Sequence, residues 1–207
     1  MCEAKWDKLL RIKTSGRDDS HSDQYRFPYE PTPYRVLERL ANSGLLRKGD
    51  TLLDYGIGKG RVCFYLSYQT RCKSVGIEYD ERIYKAVQEN QNHAVSGTRT
   101  SFVMTCAENY PVPAEATKCY FFNPFSVEIL QKVLARIQES YYENPREIEL
   151  FFYYPSDEYV LVDIKKCFDG EKESMVNLSF KGREIDPHPS EKGHKKIAQM
   201  VIKAMER

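Results

Sequence analysis

Residues 53–61 read Leu-Asp-Tyr-Gly-Ile-Gly-Lys-Gly-Arg, and this stretch decides the fold. A predicted strand at residues 51–55 runs directly into glycines at positions 56, 58 and 60, and a helical pattern follows. Glycine adopts positive φ angles without steric cost, so such a turn lets the backbone approach a ligand closely. A strand, a glycine turn and a helix in this order are typical of an open parallel α/β sheet.

Strand and helix patterns alternate downstream of this turn. The sequence predicts strands at residues 51–55, 74–78, 101–105, 118–122, 147–154 and 175–180, and helices at 61–68, 80–93, 127–141 and 157–168. Strands that alternate with helices at this spacing form a parallel sheet covered on both faces. We therefore expect an α/β fold with a mostly parallel central sheet and helices on both faces.

The two ends of the chain depart from this alternation. Residues 13–25 are polar and lack an apolar period, and residues 27–33 read Phe-Pro-Tyr-Glu-Pro-Thr-Pro, which predicts an extended strap that leads into a short amphipathic helix. At the other end, residues 190–207 carry apolar side chains at helical spacing and predict a helix. A strand over residues 197–203 is the alternative there.

Composition and charge limit the classes of function. Lys and Arg total 31 against 30 for Asp and Glu, a net charge of +1 over 207 residues, so no overall basic field indicates a nucleic-acid or membrane partner. No apolar run approaches the roughly 20 residues that span a bilayer, and the N-terminus lacks a signal-peptide pattern. The six cysteines form no Cys-x-x-Cys pair, so no metal site is predicted. We expect a soluble, cytoplasmic protein.

An acidic residue accompanies the glycine turn. Glu78 ends the second predicted strand, 18 positions after Gly60, and Tyr79 follows it. A carboxylate at this place accepts hydrogen bonds from both hydroxyls of a ribose. A dinucleotide site would need the spacing Gly-x-Gly-x-x-Gly, which this turn does not have.

The order Asp-x-Gly-x-Gly-x-Gly resembles motif I of class I S-adenosylmethionine-dependent methyltransferases, and the resemblance covers about residues 50–155. It implies a Rossmann-like core at residues 51–207 behind an N-terminal arm and lid helix at 1–50, in one domain of residues 1–207. It also implies S-adenosylmethionine as cofactor and S-adenosylhomocysteine as product. By position, the resemblance implies that Asp54 binds the methionine end of the cofactor and that Gly56, Gly58 and Gly60 form the turn beneath it. Glu78, beside Tyr79, would bind the ribose. The adenine end would be bound by Cys106, Ala107 and Glu108.

The stretch Asn123-Pro124-Phe125-Ser126 follows the fourth predicted strand. It resembles the Asn-Pro-Pro-aromatic motif of amino-group methyltransferases, which makes Asn123, Pro124 and Phe125 the expected catalytic residues, with Asn123 also touching the cofactor. In that motif the Asn oxygen and the next carbonyl accept hydrogen bonds from the amine and turn its lone pair toward the methyl group. Ser126 replaces the aromatic residue that stacks on a flipped base, and this replacement makes DNA a less favoured substrate. Asn123 as a helix cap is the structural alternative.

The strap resembles the Pro-Thr segment of small lysine methyltransferases, in which it closes over the cofactor. The resemblance makes Tyr29 and Thr32 lid contacts. A proline-rich loop that only fixes the chain direction is the alternative. Further along, Tyr153 and Tyr154 end the fifth predicted strand, where their rings would wall a substrate pocket.

These observations predict in-line methyl transfer from S-adenosylmethionine to a nitrogen acceptor, such as a protein lysine, another amine or a nucleobase. Holding nucleophile, methyl and sulfur in line supplies most of the acceleration, and no metal is required. Protein, small molecule and RNA all stay open as acceptors. One alternative is a non-catalytic regulator that binds S-adenosylmethionine. The other is a hydrolase, because residues 186–194 resemble the last block of GDSL-type esterases, although the sequence contains no Gly-Asp-Ser nucleophile.

Overall fold

A computed structural model describes residues 3–20, 22–154, 176–180 and 197–204. The helices are α1 (Glu3–Leu10), α2 (Tyr34–Asn42), α3 (Arg61–Thr70), α4 (Glu81–His93) and α5 (Val127–Glu143). The strands are β1 (Thr51–Tyr55), β2 (Lys73–Glu78), β3 (Thr100–Met104), β4 (Lys118–Phe121), β5 (Ile148–Tyr153), β6 (Val176–Phe180) and β7 (Ile197–Ala204). Short 3-10 helices, Gly97–Arg99 and Ala107–Asn109, lie on either side of β3.

One seven-stranded sheet contains all these strands in the order β3-β2-β1-β4-β5-β7-β6. Strands β1 to β5 pair in parallel, and β7 is antiparallel to both β5 and β6. The strand order reverses between β1 and β4. In open α/β sheets, ligands bind at the carboxyl ends of the strands at such a reversal. The predicted mostly parallel sheet is confirmed.

Alternate residues of each parallel strand enter two separate cores. Leu53 of β1 lies in the cluster built with α5, whereas its neighbour Leu52 lies in the cluster built with α2 and α3. In the same way, Phe121 and Tyr120 of β4 enter opposite clusters. Successive side chains of a strand point to opposite faces, so these nearly continuous apolar strands need helices on both. The two-sided arrangement that the sequence predicts is confirmed.

The predicted C-terminal helix is wrong where the structure describes it. Ile197–Ala204 forms β7, which pairs with β5 in a register that places Ile197 opposite Tyr153 and Ile202 opposite Ile148. Helical spacing of apolar residues reports only local preference, whereas the free edge of β5 offers a full row of backbone hydrogen-bond partners. The predicted helix at 157–168 and the esterase-like string at 186–194 lie outside the described residues.

Arg61, the first residue of α3, fastens the N-terminal arm to the core. Its Nε donates to the Thr14 hydroxyl at 2.7 Å and its Nη1 to the Thr32 carbonyl at 3.2 Å. The guanidinium also pairs with the Glu3 carboxylate and lies 4.4 Å from the centre of the Tyr34 ring. Only 4% of the Arg61 side chain is exposed, whereas 51% of the Glu3 side chain is, so the buried cation reaches the surface only through this partner. Both ends of the segment at residues 14–32 are thereby tied to the residue that follows the glycine turn.

Candidate functional site

The glycine turn connects β1 to α3 in a conformation that requires glycine. Gly56, Gly58 and Gly60 have φ angles of +75°, +54° and +84°. Space is also restricted, since a Cβ atom at Gly56 would lie 2.6 Å from Pro124 Cβ. A Cβ atom at Gly60 would lie 2.6 Å from Val87 and 2.7 Å from Phe64. Gly56 and Gly58 line a cleft, whereas Gly60 packs at the start of α3.

The Glu78 carboxylate lies at the end of β2 and faces the turn. Its Oε2 accepts the Gly58 N–H at 3.2 Å, and its Oε1 accepts the N–H groups of Tyr79 and Asp80 at 3.0 and 3.1 Å. Burial raises the pKa of Glu78 to about 7, against the lowering effect of these donors. Three backbone donors therefore fix the orientation of a carboxyl group that changes charge near neutral pH.

Asp54 lies beneath the turn and does not line the cleft. Only 2% of its surface is exposed, and its Oδ2 accepts a 3.6 Å contact from the Cys63 thiol. Burial raises the pKa of Asp54 to about 7, and the negative charge of Glu78 adds to that shift. Two buried carboxyl groups with raised pKa values thus accompany one glycine turn, a pattern typical of functional sites.

The strap crosses the cleft. Tyr29 lies against Gly58, and its hydroxyl donates to the Thr14 carbonyl at 2.5 Å. The Lys59 ammonium lies 5.0 Å from the centre of the same ring. Thr32 is buried away from the cleft, where its hydroxyl shares a 3.2 Å hydrogen bond with that of Tyr120. Of the two predicted lid residues, the structure brings only Tyr29 to the cleft.

Arg26, which the sequence analysis missed, lies at the predicted adenine end. Its Nη2 is 3.3 Å from Glu108 Oε1 and 3.8 Å from the sulfur of Cys106. The guanidinium also lies 4.7 Å from the centre of the Tyr79 ring. Ala107 and Glu108 line the cleft with Tyr79, whereas Cys106 does not. A lone arginine just before the strap gives no local signal of these contacts, because its partners follow β2 and β3.

The loop after β4 brings the predicted catalytic residues to the same edge of the sheet. Asn123 adopts a left-handed conformation with φ of +41°, and its Oδ1 is buried with no hydrogen-bond partner among the described residues. Pro124 and Phe125 line the cleft, whereas Asn123 does not. Ser126, rather than Asn123, occupies the N-cap of α5. A strained backbone beside an unpaired buried oxygen is typical of a functional position.

Aromatic rings extend this region toward the end of β5. The rings of Phe122 and Tyr153 lie 4.7 Å apart, and Tyr153 is buried. The next residue, Tyr154, is 38% exposed and has a φ of +53°. Phe122 lines the cleft, whereas Tyr153 and Tyr154 do not, so the predicted wall of tyrosines is not found there.

The described helices include none with the length and apolarity to cross a membrane. Within the same ranges, no group of three or more His, Cys, Asp or Glu side chains could hold a metal ion.

Comparisons with known protein sequences give a match over part of the chain. No family model matches the sequence. A protein-lysine N-methyltransferase from Saccharolobus islandicus (strain REY15A) is 35% identical over 78 residues, which are 37% of this chain and 48% of that protein. The chain thus matches about half the length of that relative.

Solved structures extend the likeness over most of the chain. A TehB-like S-adenosylmethionine-dependent methyltransferase from Corynebacterium glutamicum has a TM-score of 0.56 at 14% identity, over 97% of this chain and 95% of that one. The chain has the class I methyltransferase fold. An RNA methyltransferase from Salinibacter ruber, in complex with S-adenosyl-L-homocysteine, has a TM-score of 0.53 at 16% identity, over 86% of this chain and 95% of that one. The fold implied by the glycine motif is therefore confirmed.

Proposed function

We propose that the protein transfers a methyl group from S-adenosylmethionine to a nitrogen acceptor. The observation that carries the proposal is the meeting of the glycine turn, Glu78 and the Asn123-Pro124-Phe125 loop at one edge of the sheet. The first two features suit a nucleoside, and the third suits an amine. Their adjacency is what a two-substrate transfer between these groups requires.

The residues of the cleft fit the proposed donor. Gly56 and Gly58 line the cleft without a side chain of their own, so a ligand can approach their backbone closely. The ionised Glu78 carboxylate, already oriented by three N–H groups, accepts hydrogen bonds from ribose hydroxyls. Buried Asp54, in its ionised form, adds negative charge at the end of the site assigned to the methionine ammonium group. Both charges favour a donor that is cationic at its sulfonium and amino groups.

When bound, S-adenosylmethionine supplies an electrophilic methyl carbon, and transfer breaks the sulfur–carbon bond, forms a nitrogen–carbon bond and leaves S-adenosylhomocysteine. The role of Asn123 is to accept a hydrogen bond from the incoming amine through Oδ1, which lacks a partner among the described residues. Such a bond fixes the direction of the nitrogen lone pair. A lysine acceptor must first lose a proton, because its ordinary pKa is about 10.4.

A protein lysine is the first acceptor to test. The support is the relative from Saccharolobus islandicus, a protein-lysine N-methyltransferase that matches 37% of this chain. The ring of Phe122, which lines the cleft next to Asn123, adds a surface that suits the alkyl stem of a lysine. Other amines and RNA are the further acceptors in the same experiment.

Calorimetric titration with S-adenosylmethionine and S-adenosylhomocysteine tests the donor. We expect both to bind, and the absence of binding would refute the proposed function. A screen with donor labelled in the methyl group, against protein, RNA and metabolite pools, then tests transfer. Label in an acceptor supports an enzyme. Binding without transfer to any pool would instead favour a non-catalytic protein that binds S-adenosylmethionine.

A further inference from the structure

We propose that residues 25–27, which lead into the strap, are an internal plug that fills both substrate positions of the site and is displaced when the donor binds. The Arg26 side chain takes the place of the adenine, and the Phe27 N–H takes the place of the acceptor amine. This inference rests on the proposed function, since it assigns occupants to the two halves of that site.

The Arg26 guanidinium contacts the residues that we expect to bind an adenine. A guanidinium is planar and delocalised, as an adenine is, and it lies 4.7 Å from the centre of the Tyr79 ring. It also donates toward Glu108 Oε1 at 3.3 Å, as an exocyclic amine would. The other carboxylate oxygen of Glu108 is buried and has no partner among the described residues. A ring bound between Tyr79 and Glu108 would therefore need the space that Arg26 holds.

The backbone of Phe27 occupies the position that we expect the acceptor amine to use. Its N–H donates to the carbonyl of Pro124 at 3.1 Å. This carbonyl follows Asn123, and in the amine-binding motif it accepts the hydrogen bond of the acceptor together with the Asn oxygen. An amine cannot use that position in the expected geometry while the backbone of Phe27 donates to it.

Adjacent backbone contacts join the two halves mechanically. The Ser126 N–H donates to the Tyr25 carbonyl at 2.7 Å, and Arg26 forms an antiparallel bridge with Phe125. Because Arg26 and Phe27 are consecutive, movement of the Arg26 side chain out of the adenine position pulls on the backbone that covers Pro124. Donor binding would thus open the acceptor half, which makes the binding of the two substrates cooperative.

Calorimetry with S-adenosylhomocysteine tests the plug, with variants of the full chain. Arg26→Ala removes the competitor, so we expect binding to tighten by about 3- to 10-fold, the size of effect expected for a part-buried ion pair with a ring contact. Arg26→Lys keeps the charge but lacks the planar group, and its affinity should lie between those of the wild type and Arg26→Ala. Arg17→Ala is the matched control, because Arg17 pairs with Asp19 on the same arm and does not line the cleft. Its affinity should equal that of the wild type.

Hydrogen exchange gives a readout that is independent of affinity and of turnover. Saturation with S-adenosylhomocysteine should speed exchange of the Phe27 and Ser126 amides at least about tenfold, since both lose their acceptors. Weaker binding by Arg26→Ala, or slower exchange at both amides, would overturn the plug and make Arg26 a clamp over the bound nucleoside. If the wild type binds neither nucleoside, the proposed function itself fails, and that result is distinct from either outcome.

Discussion

The ring of Tyr29 occupies the space into which a Cβ atom at Gly58 would project. These two residues are 29 positions apart, one in the strap and one in the glycine turn. The contact places the ring directly against the turn, and the hydrogen bond from the Tyr29 hydroxyl to the Thr14 carbonyl holds the ring there. The strap and the turn therefore form one unit, and a side chain at residue 58 must disturb both.

The variant Gly58→Ala should lower the free energy of unfolding by about 2–4 kcal/mol and weaken S-adenosylhomocysteine binding at least about tenfold. Its methyl group meets both a left-handed backbone and the Tyr29 ring. Gly44→Ala is the control, because Gly44 has a φ of +77° but nothing within 4 Å of its Cβ position. Denaturant unfolding and calorimetry measure the two effects. Equal losses of stability in both variants would show that the Tyr29 contact contributes nothing.

Stability should fall as pH rises from about 4.5 to 7, measured in denaturant without ligand. The pKa values of Asp54 and Glu78 rise from 3.8 and 4.5 to about 7, so in this window the folded state keeps protons that the unfolded state has released. The free energy of unfolding therefore decreases with pH in the window and is constant for these groups above it. In Asp54→Asn, the decrease in the free energy of unfolding across the window should be smaller by more than about 1 kcal/mol. An unchanged slope in that variant would show that Asp54 titrates normally.

Binding should show the opposite dependence on pH. Ribose hydroxyls donate to the ionised form of Glu78, so S-adenosylhomocysteine should bind more tightly as pH rises through about 7, with release of a proton. Titration in buffers of different ionisation enthalpy measures that proton directly. Glu78→Gln should bind more weakly and release fewer protons. Wild-type affinity that is constant between about pH 6 and 8 would contradict the role of Glu78 in ribose binding.

Replacement of Asn123 should separate transfer from donor binding. Asn123→Gly keeps the left-handed backbone accessible while it removes the side chain, so it avoids the strain that Ala would add. We expect kcat with the acceptor found in the screen to drop about 100-fold, as for loss of one preorganised hydrogen-bonding group. S-adenosylhomocysteine affinity should stay within about twofold. Asn92→Gly, at an exposed position in α4, is the control for turnover. Full turnover in Asn123→Gly would remove Asn123 from the mechanism.

Loss of the Arg61 guanidinium should release the arm. Arg61→Met leaves the Glu3 and Asp7 carboxylates and the Thr32 carbonyl without their buried cation, so the free energy of unfolding should fall by about 2–4 kcal/mol. Limited proteolysis should then cut within residues 11–33 faster than in the wild type. Lys85→Met, which breaks an exposed pair with Glu81, should change stability by no more than about 0.5 kcal/mol. Comparable effects of the two variants would contradict an anchoring role for Arg61.

Much of the site was predictable because its elements are local in sequence. The turn at Gly56 and Gly58, with Glu78 at the end of the next strand, follows from the rule that parallel strands share one functional edge. The C-terminal strand was not predictable in the same way. Apolar spacing in residues 197–204 fits a helix, and only the unpaired edge of β5 makes a strand the better partner.

The sequence by itself determined the α/β fold, the glycine turn and the identity of the polar residues at the ends of β2 and β4. Those features depend on backbone preference and on side-chain periodicity, which neighbouring residues set. Only the tertiary structure decided that Arg26 lies between Tyr79 and Glu108, that Thr32 is turned away from the cleft, and that Asn123 keeps a buried oxygen without a partner among the described residues. Those contacts join segments far apart in the chain. Their energies depend on burial and distance, which no local pattern encodes.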